Sequence, residues 1–161
     1  MAKIGRRHID GRTAKRGEVT EKENMFKTKT QVTVRFSDTD AMGHMNNSRF
    51  FSFMEEGRVA YFKGIMQSEN INDAFKVFPF ILAEIKCVFR APVYCNDVID
   101  VSLGVTKLGR KSFVMEYELH ETKSGKLVAT GDSVLVMYDY KTGQSMVIPD
   151  EFRKRVEAFE V

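Results

Sequence analysis

The sequence predicts an α+β fold in which an antiparallel sheet of about five strands wraps around one long central helix. Three observations predict it. A single apolar-rich stretch from Phe50 to Met66 is too long for an ordinary strand, and its Phe, Met, Val, Ala, Tyr and Ile cover much of a helical circumference. A strand-like segment precedes it, and beyond about residue 80 most segments alternate apolar and polar residues with the period of two of a half-buried strand. A helix that is apolar nearly all round must be covered, and a sheet that curls about it buries both elements.

The elements follow in order. Residues 1–24 are polar and charged, carry Gly5, Gly11 and Gly17, and have almost no apolar periodicity; they read as a basic N-terminal tail ahead of one domain, 25–161. Val32, Val34 and Phe36 alternate with Gln31, Thr33 and Arg35 as a first strand. Ser37 to Asn47 is short, polar and glycine-bearing, so strand, turn, helix is the plain reading, with Asn46 or Asn47 supplying the acceptor that a helix start prefers. Residues 70–74 form a connection. Ile81, Ala83, Ile85, Cys87 and Phe89 are expected on one strand face, followed by Ile99, Val101, Leu103 and Val105, then Phe113, Met115, Tyr117 and Leu119, then Val134, Val136 and Tyr138. Ala91-Pro92, Gly109, Ser124-Gly125 and Thr142-Gly143 mark turns, and Glu151 to Val161 a short terminal helix. This is the hot-dog arrangement, although the same pattern permits other α+β sandwiches.

Composition narrows the possible partners. At 161 residues the chain suits one domain with a core of its own. Its longest apolar runs fall well short of the roughly 18 residues of a membrane span. The formal charge of +3 sits in the tail: residues 1–30 hold nine Lys and Arg against four Asp and Glu, leaving the remainder slightly acidic. With no aromatic-interleaved basic stripe, no nucleic-acid partner is expected. Cys87 and Cys95 stand apart, with no CxxC and no His at ligand spacing, so neither a zinc site nor a disulfide framework is indicated. Buried reduced thiols and the lack of a signal peptide point to the cytoplasm.

The run Arg35-Phe36-Ser37-Asp38-Thr39-Asp40-Ala41-Met42-Gly43-His44-Met45-Asn46-Asn47-Ser48-Arg49-Phe50 resembles the signature of the 4-hydroxybenzoyl-CoA thioesterase-like hot-dog family, matching its Asp-x-Asp-x-x-Gly-His-x-Asn-Asn spacing. Met54-Glu55-Glu56-Gly57-Arg58, Arg110-Lys111-Ser112-Phe113 and Val147-Ile148-Pro149 extend the likeness over about residues 29–158. The resemblance implies hydrolysis of an acyl-CoA thioester, with CoA entering as part of the substrate, no cofactor and no metal. It also implies a homodimer or homotetramer with sites between subunits. An acyl-carrier protein as the acyl donor, or a non-catalytic thioester-binding module, are the alternatives.

By position the resemblance assigns the catalytic carboxylate to Asp40. A carboxylate at a turn before a helix can reach a thioester carbonyl while the helix N-terminal amides polarise its oxygen. Asn47 is the expected donor, through its backbone. Asp40 could attack as a nucleophile or activate water as a general base; its purely structural alternative is a turn former. Asp38 is expected to satisfy turn amides or an arginine such as Arg58. His44 either orients the substrate or braces the loop, and Met42 stands where acyl-carrier thioesterases that share this pattern place an Asn, so a full Asp-Asn-His constellation is absent. Glu55 is expected to form an ion pair, with Arg58 along the helix or across an interface. Lys107, Arg110 and Lys111 are candidates to hold the CoA phosphates at a subunit edge. Phe50 occupies a position where many relatives carry Tyr, which makes the acyl pocket more apolar.

Overall fold

The computed structural model describes residues 26–160; the tail assigned to residues 1–24 lies outside them. Strand β1 (Thr28–Thr33) leads through one 3-10 turn (Phe36–Asp38) to helix α1 (Asn47–Met66). Helix α2 (Ile71–Val77) and strands β2 (Phe80–Phe89), β3 (Val98–Leu108), β4 (Ser112–Glu121), β5 (Lys126–Asp139) and β6 (Gln144–Ser145) follow, and helix α3 (Asp150–Glu160) closes the fold. The sheet runs β1-β3-β4-β5-β2 with every pairing antiparallel, and the short β6 adds to β5. This is the hot-dog architecture: β1 and β2 are the edges of the sheet among the described residues, and α1 lies across the inner face.

Close approach of helix and sheet is a sequence property. Gly57 sits where an added Cβ would stand 2.9 Å from Val101 Cγ1 and 3.2 Å from Leu103 Cδ2. One helix turn away, Met54, Tyr61 and Phe62 are fully buried, and Phe62 stacks on Phe80 with ring centroids 4.6 Å apart. Helix α3 adds Phe152 to the same aromatic cluster and sends Glu160 to accept from the Tyr61 hydroxyl at 2.8 Å.

Four local expectations are corrected. The stretch after α1 is not a bare connection but a two-turn helix, started by Asn70, whose side chain accepts from the Asn72 amide. The first strand ends at Thr33, so Phe36 leaves the alternation and is 83% exposed. In β2 a bulge between Leu82 and Glu84 breaks the period: Ile81 lies opposite Val136, while Leu82 takes the side of its partner, the buried Leu135, yet stays exposed at this edge of the sheet. In β5 the buried face is Ser133, Leu135 and Met137, not Val134, Val136 and Tyr138. Residues 134–137 are apolar without interruption, so the sequence carries no alternation to choose a face; the register of Phe113 against Leu135 chooses it.

No helix among the described residues is long and apolar enough to cross a membrane.

Candidate active site

Between β1 and α1 the chain builds a small hairpin of its own. The Asn46 amide donates to the Asp38 carbonyl at 2.8 Å, the Asp40 amide to the His44 carbonyl at 2.9 Å, and the Gly43 amide to the Asp40 carbonyl at 3.0 Å. Gly43, at φ +80°, completes the reversal in the left-handed region that glycine enters without steric cost. The returning limb is tied down by the Met45 amide, which donates to the Val93 carbonyl at 2.7 Å.

Asp40 opens the turn, half-buried. Its Oδ1 accepts the Met42 amide at 2.8 Å, an interaction that Asp and Asn make readily at this place in a turn. Its other carboxylate oxygen has no hydrogen-bond partner among the described residues. The turn-forming role and a chemical role are therefore compatible, because each needs a different oxygen.

Helix α1 begins where the sequence places it. Asn46 is the cap, with Oδ1 accepting from the Ser48 amide at 2.9 Å and the Ser48 hydroxyl at 2.8 Å. The Asn47 amide, the first of the helix, has no acceptor among the described residues, as expected of an N-terminal donor that capping does not reach. Asn47 and His44 line a cleft of about 220 Å³ with Phe50, Phe89, Arg90 and Pro92. Phe50, buried in its wall, packs edge-on to Phe89 at 5.0 Å, so this end of the cleft is apolar. His44 meets Tyr94 edge-on at 5.5 Å. Asp40 does not line this cleft; its backbone bond to His44 joins it to the residues that do.

Asp38 is buried beside this hairpin, and its arginines are not the expected one. Its carboxylate accepts from the Arg35 amide at 2.9 Å and from Arg35 Nε and Nη2 at 3.1 and 3.2 Å, and Arg49 Nε lies 3.5 Å away. The hydrogen bonds from Arg35 hold its carboxyl below the usual carboxylate range, against burial, which pushes the other way. Arg58 instead turns inward and donates to the Tyr117 hydroxyl at 3.3 Å, which in turn lies 2.7 Å from the Ser133 hydroxyl. Glu55 stays exposed, so the Glu55–Arg58 pair along the helix does not form within the chain: the two residues sit on opposite sides of the helix's buried boundary.

Lys107, Arg110 and Lys111 lie at the β3–β4 turn, beside the C-terminal half of α1. Lys111 Nζ already donates to the Ser145 carbonyl and hydroxyl, each at 3.1 Å. Phe113, beside this turn, packs on Phe62, which lies fifteen residues along α1 from Asn47, about 22 Å at 1.5 Å per residue. Within one chain these cations and Asp40 are not brought together. Arg90 and Tyr94, which do approach the cleft, carried no sequence signal beyond their place beside the Ala91-Pro92 turn. No three His, Cys, Asp or Glu converge to hold a metal among the described residues.

Residues 34–156 match the thioesterase-like superfamily over most of the folded domain. The chain belongs to this superfamily. It is 32% identical over 132 residues to YsmA of Bacillus subtilis (strain 168), spanning 81% of this chain and 86% of that one. It is 26% identical over 130 residues to the long-chain acyl-CoA thioesterase FadM of Escherichia coli (strain K12), spanning 80% and 96%. Among solved structures, a thioesterase from Thermus thermophilus complexed with coenzyme A and Zn superposes with a TM-score of 0.75 at 31% identity, covering 85% of this chain and 96% of that one.

Proposed function

We propose that this superfamily member hydrolyses acyl-CoA thioesters to the free carboxylic acid and CoA, with Asp40 as the catalytic carboxylate and the Asn47 amide as the donor to the carbonyl oxygen. The observation that carries the reading is the junction itself. One hairpin presents a carboxylate with a free oxygen, and the Asn46–Asp38 bond at its root ends in a helix whose first amide is unpartnered among the described residues. The names of FadM and of the coenzyme A complex support the substrate class.

The chemistry takes one of two routes. In the first, Asp40 attacks the thioester carbonyl, the C–S bond breaks to release CoA thiolate, and water then hydrolyses the mixed anhydride. In the second, Asp40 takes a proton from water, which attacks directly. In both, negative charge grows on the carbonyl oxygen, where a helix N-terminal amide is a fixed donor that requires no reorganisation.

A second copy completes this reading. Strand β2 is an edge of the sheet among the described residues, with Leu82 40% and Phe89 43% exposed, an unusual surface for a chain that stays alone. Two copies joined antiparallel along β2 run in opposite directions, which carries the β3–β4 turn of each towards the hairpin of the other. Lys107 and Arg110 could then reach the CoA phosphates from across the interface, with Arg90 on the near side.

The test is release of free thiol from a panel of acyl-CoAs, short aliphatic, aryl and long-chain, by wild type and Asp40→Asn. The variant should lose at least about a hundredfold in turnover, the scale of acid–base or nucleophilic chemistry, while binding the substrate nearly as well. Unchanged turnover would remove Asp40 from the mechanism. If no acyl-CoA is hydrolysed while the same acyl group on an acyl-carrier protein is, the carrier protein is the substrate.

A further inference from the structure

The mechanism proposed above uses Asp40 and the Asn47 amide but leaves unexplained a fully buried carboxylate two residues away. The Asp38 side chain is 1% exposed, yet Arg35 and Arg49, its partners, remain 73% and 43% exposed. Burying a carboxylate is costly, and a buried ion pair is often no more stabilising than well-packed apolar side chains. Stability alone is therefore a weak reason for this arrangement. What the carboxylate does touch is more informative.

It joins three segments. The Arg35 amide and guanidinium belong to the stretch leaving β1, Asp38 itself forms the root of the hairpin, and Arg49 is the third residue of α1. Its backbone carbonyl also receives the Asn46 amide at 2.8 Å, at the residue that caps the helix. On one side of Asp38 the chain runs two residues to Asp40; on the other, through Arg49, it grips the turn of helix that carries the Asn47 amide. The two guanidinium groups also compensate its charge, so Asp38 adds little repulsion to an anion forming at the helix end.

We infer that Asp38 is a positioning residue, which through Arg35 and Arg49 sets the separation between Asp40 and the Asn47 amide. The inference rests on the roles proposed above for those two groups. Catalysis is sensitive to such placement, since a shift of about 1 Å in a reacting geometry can cost on the order of a hundredfold in rate. Substrate binding, made along the apolar cleft and at the CoA phosphates, depends much less on it.

The experiment measures kcat and KM for the best acyl-CoA of the panel in wild type, Asp38→Asn, Arg49→Gln and the double variant, with thermal unfolding of each. Arg49 is substantially exposed, so Arg49→Gln keeps the test open should Asp38→Asn fail to fold. The expected result is a fall in kcat of roughly 10- to 100-fold with KM within about threefold in each folded single variant, and a double variant no slower than the slower single. A kcat within about threefold of wild type in Arg49→Gln, or kcat and KM shifting together with the loss of folded protein, overturns the inference. Asp40→Asn in parallel separates the two ideas: if it is inactive while the Asp38 and Arg49 variants turn over normally, only the positioning role fails; if it is fully active, the catalytic reading fails with it.

Discussion

Asp40 Oδ1 accepts the Met42 amide at 2.8 Å. An asparagine can make the same bond with its side-chain carbonyl, whereas alanine cannot. Asp40→Asn should therefore unfold at nearly the wild-type temperature, and Asp40→Ala should be less stable by about 0.5–1.5 kcal/mol, the usual worth of one such hydrogen bond. Thermal unfolding monitored by circular dichroism checks both. A large destabilisation of Asp40→Asn would mean that its loss of turnover cannot be assigned to chemistry.

Asp38 supplies a pH dependence whose sign is fixed. Its folded carboxyl is held below the value of about 3.9 that it would have in the unfolded chain. Stability from this difference is present above the unfolded value and disappears as pH falls through the folded one. Urea unfolding of wild type and Asp38→Asn should differ most near pH 6, and the gap should narrow steadily below about pH 4. Asp100, Glu121 and Asp139 are also held low, but they are common to both proteins and cancel in the comparison. A gap that stays constant from pH 6 to pH 3 would contradict the ion pair.

The contrast between Asp40 and Arg58 shows what a single sequence makes legible. The strand, turn and helix around Asp40 are readable because each is local: alternation, a glycine that tolerates positive φ, and an Asn cap lie within about twenty residues of one another. Arg58 is not legible, for the opposite reason. Its spacing from Glu55 suits a helical ion pair, but its partner, Tyr117, lies 59 residues away and becomes a neighbour only when β4 folds over α1. Phe89, Arg90 and Tyr94 reach the cleft by the same kind of long-range contact, through the Met45–Val93 bond. The bulge at Ala83 and the face of β5 were hidden because runs apolar on both faces specify a strand without specifying its register.

Gly57 tests how tightly helix and sheet are packed. Alanine in mid-helix gains about 1 kcal/mol over glycine in propensity, yet its methyl group would stand 2.9 Å from Val101 Cγ1. The two effects oppose, so Gly57→Ala should lie within about 1 kcal/mol of wild type. Gly57→Val keeps the clash, adds two more methyl groups and lacks alanine's full helix propensity; it should cost roughly 1–3 kcal/mol, as overpacked cores do. Urea midpoints of the two variants distinguish this from a loose interface, in which both substitutions would be tolerated alike.

Cys87 reports on the inner face of the edge strand. On β2 it sits half-buried opposite Gly131 of β5, and burial pushes its thiol up to about 11. Since the thiolate is the reactive form, a raised thiol reacts slowly at mildly alkaline pH. In a Cys95→Ser chain, where Cys87 is the only cysteine, alkylation by iodoacetamide at pH 8 should be at least about tenfold slower in the folded protein than in urea, after correction for the effect of urea on a free thiol. Equal rates would place Cys87 in water, and with it the inward side of β2.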